Sequence, residues 1–69
     1  MAKELSLEAR EVMKLRLGVA YEDLPRLSEA ELDALYEKAA DFEVEESAKE
    51  IETPMLEIAA DIVDFLYEY

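Results

Sequence analysis

Residues 54 to 69, PMLEIAADIVDFLYEY, constrain the fold of this chain more than any other stretch. Their polar members Glu57, Asp61, Asp64 and Glu68 recur at spacings of four, three and four, so on a helix they form one narrow stripe. The rest is apolar: Met55, Ile58, Ala59, Ile62, Phe65, Leu66 and Tyr69 on one side, Leu56, Ala60, Val63 and Tyr67 on the other. A helix that is apolar nearly all round has to be covered from several directions. Lipid is not the cover. The segment has 16 residues where a span needs about 20, and each of its four carboxylates costs about 2.5 to 3.5 kcal/mol at mid-bilayer.

The cover has to come from a small chain. Sixty-nine residues make a single domain, 1–69, and a domain of this size buries only roughly 60% of the surface its unfolded chain exposes. Disulfides, structural zinc, thiolate nucleophiles and an imidazole base are all excluded, because the sequence has neither Cys nor His. Well-formed helices or a second chain remain as sources of stability. One Gly and two Pro among abundant Ala, Leu, Glu, Lys and Asp favour helix, and 52% apolar content is too high for a disordered acidic tail. The opening residues MAKELSLEAR mix charges with no apolar run, so no leader is expected and a cytoplasmic location is.

Local signals divide the chain into three helices. Ser6 is placed to cap a first helix over 7 to 17, with Ala9, Val12, Met13 and Leu17 as its apolar stripe and Gly18 as the left-handed residue that ends it. A connector, VAYEDLPRL, follows, with room for a helical turn at 21 to 24 before Pro25 biases the chain out of helix. Ser28 and Glu31 form a capping box that starts a second helix at 29. Its stripe is Leu32, Leu35, Ala39 and Phe42, with Tyr36 beside them. Beyond Phe42 the apolar phase slips to Val44, Ala48 and Ile51, which predicts a break or bend within EVEES. Ser47 to Glu50 then reads either as a second capping box that restarts a short turn or as the continuation of the second helix. Thr53 followed by Pro54 opens the third helix, over 54 to about 67.

Charge is distributed unevenly along these elements. Residues 1 to 26 balance five acids against five bases, whereas residues 27 to 69 hold 14 acids against Lys38 and Lys49 and carry the whole net charge of -12. On the second helix Glu29, Asp33, Glu37 and Asp41 repeat at four-residue spacing, and like charges at that spacing destabilise a helix by a few tenths of a kcal/mol per pair. Such a face is either simply solvated or presents carboxylates to a basic surface. The candidate partner-binding face is therefore Glu29, Asp33, Glu37, Asp41, Glu43, Glu45 and Glu46. Direct nucleic-acid binding and attachment to anionic lipid are opposed by the same charge. Catalysis, a metal and a cofactor are not expected, since the oxygen-only ligands lack the alternating acids around Gly of a calcium loop and so small a bundle leaves little room to desolvate a carboxylate.

The stretch LSLEAREVMKLRLG followed by YEDL resembles the opening half of the helix-turn-helix in sigma-factor region four and in response-regulator output domains. The resemblance spans residues 5 to 24 and implies a helical arrangement related to that of a DNA-binding domain. The sequence then departs from that pattern. Pro25 falls inside what would be the scaffold helix, and the would-be recognition helix SEAELDALYEKA carries Glu29, Glu31, Asp33 and Glu37 against one lysine, where phosphate contacts require basic side chains.

The expected fold is therefore all-α, a small three-helix bundle with room for a short fourth turn at 21 to 24 or 47 to 51. Two arrangements bury the third helix: packing by the first two helices alone, or contact with a second copy. First and second helices of 11 and about 14 residues leave apolar surface over on this reading, so a homodimer is expected through Ile58, Ile62, Phe65, Leu66 and Tyr69. The expected function is non-catalytic: an acidic regulator or inhibitor that binds another protein and occupies its basic, nucleic-acid-binding surface, in the manner of phage or mobile-element inhibitors, antitoxins and anti-regulators. The alternatives are an architectural assembly module whose acids only solubilise it, and a degenerate helix-turn-helix that binds DNA.

Overall fold

The structure, a computed structural model, describes residues 4–49 and 54–69, and all of its regular elements are helical. Helix α1, Leu7–Val12, begins where the Ser6 hydroxyl accepts the Ala9 amide at 3.2 Å. It continues into a wide π turn, Met13–Leu17, which Gly18 closes at φ 77° by donating its amide to the Lys14 carbonyl at 3.2 Å. The wide turn has a packing reason. A core side chain every four residues drifts round a helix of about 3.6 residues per turn, and one i→i+5 turn sets the drift back. Leu17 thereby returns to the face of Ala9 and Met13 and is buried, while Arg16 stays exposed.

A 3-10 helix, Tyr21–Arg26, follows and runs through Pro25, so the connector turn is longer than the sequence predicts. The burial of Leu24, which is 1% exposed, holds the residue before the proline in a conformation that it otherwise disfavours. Helix α2, Glu29–Ser47, opens on the expected capping box: the Glu31 amide donates to the Ser28 hydroxyl at 3.2 Å, and the Ser28 amide donates to the Glu31 carboxylate at 3.2 Å. Helix α3, Pro54–Glu68, completes the fold.

The break expected within EVEES does not occur, for α2 continues unbroken to Ser47. The stripe keeps its phase because Glu46, not Val44, takes the core position four residues after Phe42: Glu46 is 5% exposed and Val44 is 64% exposed. Its carboxylate meets the Lys49 ammonium at 2.8 Å. The Ser47 hydroxyl donates back to the Val44 carbonyl at 2.9 Å at the end of α2. Glu50 of the second expected capping box, Ile51 of the slipped stripe and Thr53 of the expected third-helix start lie outside the described residues.

One core unites these elements. Leu5, Ala9, Val12, Met13 and Leu17 from the N-terminal side and Leu24 from the 3-10 helix meet Leu35, Ala39 and Phe42 of α2. Against all of them lie Ile58, Ala59, Ile62, Phe65 and Leu66 of α3. Arg10 ties the N-terminal side together, donating from Nε to the Leu5 carbonyl at 2.9 Å and laying its guanidinium 3.9 Å from the centre of the Tyr21 ring. Tyr21 in turn packs on Phe65 and Phe65 on Tyr69, each with ring centroids 5.7 Å apart. The radius of gyration, 11.5 Å, is close to the ~11 Å of one compact chain of this length.

Candidate protein-binding surface

Helix α2 carries eight acids and one lysine, Lys38. Its core stripe of Leu35, Ala39, Phe42 and Glu46 turns the opposite side outward, so Glu29, Asp33, Glu37 and Asp41 all stand exposed on successive turns. None of these four makes an ion pair among the described residues; the salt bridges are Arg26 to Asp23 at 3.8 Å and Lys49 to Glu46 at 2.8 Å. Glu45 is exposed as well, at the margin where Asp41, Arg16 and Lys38 share a cleft with it. The charge is mixed in that cleft, and the least balanced part of the face is its N-terminal half, from Glu29 to Glu37.

Two of the seven acids assigned to this face from sequence belong elsewhere. Glu46 points into the core, for the reason given above, and is no part of an outward surface. Glu43 is half-buried, in register with Leu32 and Tyr36 on the flank of α2 rather than with Asp33 and Glu37. Helix α3 adds a second acidic stripe, since Glu57, Asp61, Asp64 and Glu68 are all exposed as their spacing predicts, with no base in the helix to offset them.

The surface assigned to self-association is largely consumed inside one chain. Ile58, Ile62, Phe65 and Leu66 are buried against α1, α2 and the 3-10 helix, and of the five only Tyr69 is exposed. Two features supply cover that helices of 11 and about 14 residues lack. Helix α2 has 19 residues, and the 3-10 helix sets Tyr21 on Phe65. What α3 leaves outside is its other flank, with Leu56, Ala60 and Val63 half-buried and Tyr67 exposed.

Spacing within single helices hides one further feature. The first two turns of α2 and the last turn of α3 bound an open groove of about 460 Å³, lined by Tyr36, Tyr67 and Tyr69 over Leu32 and Leu66, with Glu29 and Asp33 at its edge. Its tyrosines come from two helices, so no one-dimensional pattern signals it. Among the described residues no group of three or more acids converges as a metal site, and no helix is long and apolar enough to cross a membrane. In comparison with known proteins, no family model, curated protein or solved structure matches the chain.

Proposed function

We propose that this chain is a non-catalytic acidic regulator that binds another protein through a basic surface, of the kind that otherwise holds nucleic acid. The observation that carries the reading is the outer face of α2, where Glu29, Asp33, Glu37 and Asp41 stand exposed at four-residue spacing with no ion pair among the described residues. Like charges so spaced cost the isolated helix a few tenths of a kcal/mol per pair, a cost that association with a basic surface reverses. The absence of His and Cys supports a role without chemistry.

Affinity capture from the organism that encodes the chain, followed by a salt gradient, tests this. The retained partner is expected to release between about 50 and 200 mM salt, and the double variant Asp33→Lys, Glu37→Lys is expected to capture little of it. Retention that ignores both salt and charge reversal overturns the reading. It favours the alternative of an assembly module, or homodimer, built on the flank of α3 that holds Ala60, Val63 and Tyr67.

A further inference from the structure

The groove between the start of α2 and the end of α3 combines three properties that point to one kind of occupant. Its walls are aromatic: Tyr36, Tyr67 and Tyr69 are three of the four tyrosines in the chain. Tyr67 is 78% exposed, a large ring with most of its surface uncovered. Its charge is negative, and no lysine or arginine lines it. Glu29 lies in the first turn of α2 and offsets the positive end of that helix. Asp33, one turn further on, is exposed and has no such role. The last turn of α3 contains no basic residue, so the negative end of its dipole reaches the groove without a cation from its own helix.

Aromatic faces beside uncompensated negative charge favour a cation with an apolar body. A guanidinium suits better than an ammonium, because it is planar, stacks on rings and is more weakly hydrated. A hydrated metal ion has no use for the leucine floor, and stacked bases bring phosphates that the carboxylates repel. The chain already makes this contact internally, where the Arg10 guanidinium lies 3.9 Å from the centre of the Tyr21 ring. We propose that the tyrosine groove seats an arginine side chain of the partner protein, between Tyr67 and Tyr36 or Tyr69, with Asp33 as its counter-charge. The proposal rests on the protein-binding reading above and adds to it the anchor residue of the partner.

An NMR titration of the isotopically labelled full chain with acetyl-Ala-Ala-Arg-Ala-Ala-amide tests it, beside the same peptide with lysine or the neutral isostere citrulline at the centre. The expected result is saturable shifts at Tyr36, Tyr67, Tyr69 and Leu66, strongest with arginine and largely lost with citrulline. Tyr67→Leu is expected to raise the Kd roughly two- to five-fold, and Asp33→Asn to raise it as well. Both positions are exposed, so both variants should keep the native circular dichroism. Shifts confined to Glu37, Asp41 and the outer stripes overturn the groove while leaving the acidic-surface reading in place. Equal shifts with citrulline overturn it too. Groove shifts that appear as expected while captured partners ignore salt leave the arginine site standing and remove the acidic-surface reading.

Discussion

Gly18 and Glu46 each occupy a place in the fold that few other residues fill without cost. Gly18 sits at φ 77°, where a side chain is strained, yet a Cβ there meets nothing within 4 Å. Gly18→Ala is therefore expected to lower stability by about 1 kcal/mol from backbone strain alone, and Gly18→Asn by less, as thermal unfolding of the two variants would show. A loss well beyond that in the alanine variant would mean that the π turn itself depends on glycine. Glu46 is a buried carboxylate held by Lys49 at 2.8 Å, in a position that helical phase reserves for an apolar residue. Lys49 is 54% exposed and stays hydrated without the carboxylate, while leucine suits the buried position, so Glu46→Leu is expected to be neutral or to stabilise by about 1 kcal/mol. Denaturant unfolding decides this, and a marked loss would show that the carboxylate makes contacts that leucine does not replace. The sequence hides this residue's role because a Glu in a run of Glu reads as solvent-facing, and only the stripe four residues after Phe42 marks it as inward.

At the scale of the element, capped starts and the Gly18 stop are legible, and the end of α2 is not. The Ser6 cap and the Ser28 and Glu31 box are visible in sequence because each is complete within four residues. Removing the second, Ser28→Ala, is expected to cost about 1 kcal/mol, or roughly 4 to 8 °C in Tm for a domain this small. Where α2 ends, how α1 widens into a π turn and how the 3-10 helix passes Pro25 depend on what each side chain meets across the core, which no local pattern records. The same holds for α3. Ile62 is fully buried within one chain, so Ile62→Glu is expected to abolish cooperative melting, since an unpaired buried carboxylate costs at least about 3 kcal/mol in a marginally stable domain. Tyr67→Glu, on the open flank, is expected to leave the melt intact. A folded Ile62→Glu chain of reduced hydrodynamic size would instead restore this face to a dimer.

For the whole molecule, the net charge of -12 acts against folding as well as for binding. Nearly all of it lies on α2 and α3, which pack side by side and turn their acidic stripes to solvent. Self-repulsion of this kind destabilises the compact state and is screened by salt. The Tm is therefore expected to rise by about 4 °C or more between roughly 20 and 500 mM salt. A Tm that stays constant would mean that the stripes lie too far apart to repel. Opposite salt responses are thus expected of the free and bound chain, the one stabilised and the other dissociated.

The sequence alone determines the helical class, the capped starts of α1 and α2, and the exposure of the acids on both stripes, because each depends only on spacings within one helix. It leaves open how the apolar girth of α3 is covered. That is decided in three dimensions, by α2 running on to Ser47 with Glu46 buried, by the 3-10 helix setting Tyr21 on Phe65, and by the π turn returning Leu17 to the core. The tyrosine groove is likewise a product of tertiary structure, since it exists only where the start of α2 and the end of α3 lie side by side. Packing decides these features because burial depends on which helix faces are brought into contact, and that relation is absent from any single helical period.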